Sequence, residues 1–94
     1  MRESHIEKKA SQWARDHGWK VRKMASPGQR AALDRIFHKQ GVTAYIEFKR
    51  PGGKPTELQK IEMEELTNQW IPNACVDSVE AAVEFLNNCD PTKP

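Results

Sequence analysis

Residues 33–49, LDRIFHKQGVTAYIEFK, spell out a β-hairpin. Leu33 to Lys39 reads as one strand, and Val42 to Lys49 as a second, rich in β-branched and aromatic residues. With Gln40-Gly41 as a two-residue loop between them, Lys39 lies opposite Val42, Ile36 opposite Tyr45 and Asp34 opposite Glu47. Directly opposite residues share a face, with Cβ atoms about 5 Å apart. Lys49, two positions beyond Glu47, points the same way. The hairpin therefore offers two carboxylates and one ammonium on one face. Like charges directly opposite destabilise a sheet, and a hard divalent cation between them reverses that sign, since Mg²⁺ is commonly held by one or two carboxylates. The expectation is a metal-dependent phosphodiesterase site. Spacing alone leaves a second possibility open: Asp34 and Glu47 as ordinary residues of a solvated sheet face, which a one-residue slip would put on opposite sides.

The 94-residue chain is one domain, 1–94, with no linker and no internal repeat. A domain this small gains little from its own core, so association would help it. There is no apolar run long enough to span a membrane and no signal-peptide pattern at the N-terminus. Cys75 and Cys89 are the only cysteines. Without a secretory signal they read as free thiols in a reducing compartment, which gives a cytoplasmic expectation. The net charge of +2 hides an asymmetry. Residues 1–60 carry 14 Lys/Arg against 6 Asp/Glu, whereas residues 61–94 carry 1 against 7. Basic charge gathered on one part of a domain is the footprint expected for a polyanion, and here it coincides with the segment that carries the carboxylates.

Glu3 to His17 reads as an amphipathic helix with Ile6, Ala10, Trp13, Ala14 and His17 on one stripe, stopped by Gly18. Trp19 to Met24 alternates apolar and basic residues, as a half-exposed strand does. Residues 25–32 form a loop marked by Ser26-Pro27-Gly28. After the hairpin, Arg50 to Pro55 is a second loop. Thr56-Glu57-Leu58-Gln59 has the form of a capping box. It opens a helix to about Gln69, with Leu58, Ile61, Glu62, Glu65 and Leu66 along its i, i+3, i+4 rows. Ile71 to Val76 is a short strand. Residues 77–80 cap a last helix to about Asn88, with Val79, Ala82, Val83 and Leu86 inward. Residues 90–94 are expected to fray. The order αβββαβα implies an α/β fold, a mixed sheet flanked by helices with a right-handed crossover around the second helix.

The ordered set Gly18-Trp19, Ser26-Pro27-Gly28, Leu33-Asp34-Arg35, Ile46-Glu47-Phe48-Lys49, Pro51-Gly52 and Pro55 to Gln59 resembles the virus-type replication-repair nuclease (VRR-Nuc) domain. That family belongs to the PD-(D/E)XK nucleases, with a restriction-endonuclease-like core. The likeness covers most of the chain. It implies Mg²⁺- or Mn²⁺-dependent cleavage of DNA phosphodiester bonds, and a phage- or bacterium-encoded protein. By position, Asp34 and Glu47 match the metal-binding carboxylates, Lys49 the lysine that acts on the attacking water, and Gln59 the glutamine that opens the following helix. A first-helix glutamate usually completes the site, and the Met1-Arg2-Glu3-Ser4 opening resembles small phage members, which favours Glu3. Two departures stand out: Leu33-Asp34 replaces the family's Pro-Asp, and Ala31-Ala32 stands where glycine is frequent.

On a helical wheel Glu3 falls near the centre of the apolar stripe and Glu7 at its edge, so either could supply the helix carboxylate, with Glu3 preferred. The Phe48 carbonyl could complete the ion's shell. Gln59 has a competing structural role as the N3 partner of the capping box. Arg30, Arg35, Arg50 and Lys54 are the candidate phosphate contacts. The three histidines show neither triad nor zinc spacing, and the Gly52-Gly53 loop is not a P-loop. The expected function is a structure-selective DNA endonuclease acting on branched DNA. The alternative is a DNA-binding module on the same fold without catalysis. Small stand-alone members resembling this chain act as homodimers on four-way (Holliday) junctions, and two sites related by a two-fold axis suit paired incisions. Trp70-Ile71, where the family often has a small residue, could cover a core edge or a partner surface.

Overall fold

The computed structural model describes residues 2–24 and 33–94. Along the chain lie helix α1 (Glu3–Asp16), strands β1 (Lys20–Lys23), β2 (Arg35–Lys39) and β3 (Val42–Phe48), helix α2 (Glu57–Asn68), strand β4 (Asn73–Val76) and helix α3 (Val79–Cys89). The order is the expected αβββαβα. The four strands form one sheet in the order β1-β2-β3-β4, antiparallel except for the parallel β3–β4 pair. That parallel pair requires the crossover that α2 supplies.

The β2–β3 hairpin has the register expected from its loop: Lys39 pairs with Val42, Ile36 with Tyr45 and Arg35 with Ile46. Gln40 and Gly41 both have positive φ, 42° and 88°, the backbone of a type I′ turn whose twist matches the strands. β2 starts at Arg35 rather than Leu33, yet Met24 N still donates to Asp34 O at 2.9 Å, so the first hairpin holds one residue further. β1 starts at Lys20 because Trp19 closes α1: Gly18 N donates to Arg15 O and Trp19 N to Ala14 O. Gly18 takes the left-handed C′ position of this Schellman motif at φ 92°. β4 starts at Asn73 rather than Ile71. Pro72 has no N–H and contributes only its carbonyl, to Tyr45 N at 3.0 Å.

One sheet face carries the core. Phe37, Ala44, Ile46, Phe48 and Val76 pack against Ile6, Ala10 and Ala14 of α1 and Ala82 and Leu86 of α3, with Trp19 closing one end. The alternate residues, Asp34, Ile36, Tyr45 and Glu47 among them, face the other side by the period-2 geometry of strands. Helix α2 packs on β4 and buries little. Gln59 is its one buried residue; along the rows read from the sequence, Leu58 and Ile61 are half exposed and Leu66 is part-buried. Asp90, placed at the start of the fraying tail, is buried and accepts from Lys39 Nζ at 2.7 Å and from Thr92, while residues 91–94 are exposed. Among the described residues no helix is long and apolar enough to cross a membrane.

Candidate metal centre

The end of the β2–β3 hairpin beyond Arg35 sets the site. Asp34 is half-buried, and its Oδ2 accepts a hydrogen bond from Phe48 N at 2.9 Å. That bond fixes the carboxylate against the last residue of β3. Glu47 is 3 % exposed. Its Oε2 lies 3.5 Å from Lys49 Nζ, and its Oε1 is buried with no hydrogen-bond partner. Glu3, exposed in the first turn of α1, reaches the same place: one oxygen from each of Glu3, Asp34 and Glu47 lies within 4.8 Å of the others. The helical wheel placed Glu3 among buried residues, but it stands at the free end of the helix, where the stripe has run past the core.

The electrostatics are those of a site short of positive charge. Burial first, and the Asp34 carboxylate second, push the Glu47 carboxyl up to about 7, with Glu3 adding to the rise and Lys49 opposing it. A buried carboxylate oxygen without a donor is costly. The cluster sets one ammonium, Lys49, against three carboxylates, Glu3, Asp34 and Glu47. The set is all-oxygen, of the hard character that suits Mg²⁺ or Mn²⁺, and the orphaned Oε1 has the vacancy in its bonding that a cation would fill.

The other expected residues are distributed as follows. Glu7 is not part of the cluster: its Oε1 accepts from Arg35 Nε at 2.7 Å in a part-buried ion pair. Arg35, expected to meet phosphate, pairs with Glu7 through its Nε. Arg50 and Lys54 are exposed in the loop after β3, where Gly52 at φ 82° donates its N–H to Asp77. Arg30 lies outside the described residues, as do Ser26-Pro27-Gly28 and Ala31-Ala32. Gln59 completes the capping box with Thr56, its Oε1 accepting from Thr56 N at 2.9 Å and its N–H donating to Thr56 Oγ1 at 3.1 Å. Only its NH₂ end remains for any other task. Phe48 offers its backbone at the end of β3, its ring being buried in the core.

Sequence reasoning missed Cys75. It is the β4 neighbour of Glu47 in the parallel register, half-buried, with its thiol pushed up by burial and by the Glu47 charge. No signal could have placed it there, because a crossover helix of unknown length does not fix the register of the strand that follows.

Among solved structures, a chain described as "VRR_NUC domain" matches over 90 % of this chain and 94 % of its own length, with TM-score 0.82 and 24 % identity. No family model and no curated protein matches the sequence. The chain has the fold of a VRR-Nuc domain, a mixed four-stranded sheet flanked by helices.

Proposed function

We propose that this protein is a divalent-metal-dependent DNA endonuclease, hydrolysing phosphodiester bonds in branched DNA and resolving four-way junctions as a homodimer. The nuclease-type fold supports the reaction class. The single observation that carries the metal dependence is the buried, partnerless Oε1 of Glu47 within a three-carboxylate cluster. Glu3, Asp34 and Glu47 would hold the ion, with the Phe48 carbonyl available to it. Bound there, Mg²⁺ or Mn²⁺ supplies Lewis-acid stabilisation of the phosphate's charge and makes water more acidic.

The chain's own groups do the rest. The Phe48 N–H holds Asp34 by its Oδ2. Glu47 tethers Lys49 at 3.5 Å, so the ammonium sits beside the carboxylates. From there it orients the attacking water and stabilises charge developing on the phosphoryl oxygens. The Gln59 NH₂ group can assist only as a donor.

The dimer reading draws on Trp70, 93 % exposed just past the end of α2, and on the half-exposed Leu58 and Ile61 nearer its start. Trp70 occupies the C′ position of a Schellman motif at φ 62°, where Trp70 N bonds Thr67 O and Ile71 N bonds Leu66 O. Gly18 fills the equivalent position of α1. A bulky residue in left-handed backbone with its ring in water carries two penalties, which burial against a second copy would offset in part. The test is incubation of the protein with end-labelled four-way, flap and linear DNA in Mg²⁺, Mn²⁺ and EDTA, beside Asp34→Asn. Metal-dependent paired nicks in the junction support the proposal. Absence of cleavage of every form, with DNA binding intact, leaves a binding module only.

A further inference from the structure

The open sheet face carries more than the carboxylates. By register, Arg22 of β1 lies beside Ile36 of β2, which lies beside Tyr45 of β3. One row further from the site, Lys20 lies beside His38, and His38 beside Thr43. Residues paired across strands share a face, so Lys20 and Arg22 stand on the face that carries Asp34 and Glu47. Both are exposed. Among the described residues neither is ion-paired, whereas Arg35, Lys39, Lys49 and Lys60 are. Between this basic edge and the carboxylates the face is uncharged, lined by the half-buried Ile36 and Tyr45.

The spacing follows from sheet geometry. Rows on one face are two residues apart, about 7 Å, and strands about 4.8 Å apart. The Arg22 backbone is therefore about 12 Å from that of Glu47, and Lys20 about 17 Å. Long side chains at successive rows, stepping away from the site, match the step between neighbouring phosphates of one strand. We propose that Arg22 and Lys20 form a phosphate track: they hold the strand being cut on one side of the scissile bond as it crosses the open face. The inference rests on the nuclease reading above, and adds where the strand runs.

The plainer role for these residues is protection of an edge strand, for which lysines are common. Lys23 separates the two. It is exposed on the same edge strand, but pairs with Arg35 and so stands on the core-side face. Edge protection treats Lys23 like its neighbours; a track on the open face does not use it.

The experiment is fluorescence anisotropy of the metal-free protein with a labelled four-way junction, across a salt series, with cleavage kinetics in Mg²⁺. Lys20→Gln/Arg22→Gln is expected to weaken binding by about tenfold or more and to lower the salt slope by about two, one per lost phosphate contact. KM rises while kcat holds. Lys23→Gln stays within about twofold of wild type, since it loses no phosphate contact. The track is overturned if the double variant binds as wild type does, or if Lys23→Gln does equal damage. Both results leave a cutting enzyme in place. A wild type that neither binds nor cuts any DNA overturns the nuclease reading as well. Circular dichroism of each variant separates lost contacts from lost fold.

Discussion

Replacing Glu47 by glutamine should stabilise the metal-free protein at pH 8 and do nothing of the kind at pH 5. The folded Glu47 carboxyl is pushed up from 4.5 to about 7. The native state therefore binds more protons than the unfolded state between those values. Glu47's share of stability is fully present below the unfolded value and is lost as pH rises through about 7. At about 1.36 kcal/mol per unit, the shift amounts to a loss of about 3 kcal/mol by pH 8, falling at most by about 1.4 kcal/mol per pH unit. Loss of the Lys49 contact in the variant cuts into that gain, so about 2 kcal/mol is the expected net effect. For a domain of this size it raises Tm by about 10 °C. The assay is thermal or urea unfolding in EDTA from pH 5 to pH 8. The wild-type curve slopes down with pH and the Glu47→Gln curve stays nearly flat. Saturating Mg²⁺ then stabilises the wild type and not the variant, because only the native wild-type site binds it. A flat wild-type profile, or a variant less stable than wild type at pH 8 without metal, would rule out a raised Glu47 carboxyl in the folded protein.

Lys49→Ala should lower the cleavage rate by about 10²–10³-fold while leaving the affinity for Mn²⁺, read by calorimetry, within a few-fold, since the ammonium acts on water and developing charge rather than on the ion. Asp90→Asn should lower Tm at pH 7. The Lys39 and Thr92 hydrogen bonds hold this carboxyl well below the usual carboxylate range, so its contribution is present at neutral pH and lost on acidification; the gap from wild type should close as pH falls below about 4. Trp70→Gly should leave monomer stability within about 1 kcal/mol of wild type, the relief of left-handed strain being offset by glycine's larger unfolded-state entropy. Light scattering should then report a monomer in place of the dimer, and a persisting dimer would move the interface elsewhere.

The parts of this molecule that were legible in the sequence are those fixed by local rules. A two-residue loop sets one register, so the pairing of Lys39 with Val42 and of Ile36 with Tyr45 could be counted before any coordinates. Thr56 and Gln59 bond reciprocally because the capping box involves four consecutive residues. What escaped depends on long-range geometry. A helical wheel gives the direction of Glu3 but not its distance past the end of the core. The pairing of Glu7 with Arg35 spans 28 positions, beyond the reach of any local rule. Helical periodicity placed Leu58 and Ile61 on one side of α2 without showing whether anything covers them. Asp90 seemed the start of a loose end because its partner, Lys39, lies 51 residues away.

Whether Glu3, Asp34 and Glu47 hold a divalent cation is read from crystals soaked in Mn²⁺ and measured for anomalous scattering. The expected result is a peak among the three carboxylates, bonded to Glu47 Oε1 and absent from Glu47→Gln crystals. Metal-dependent cleavage by a protein whose saturated crystals show no peak there, or show it at other residues, would contradict it.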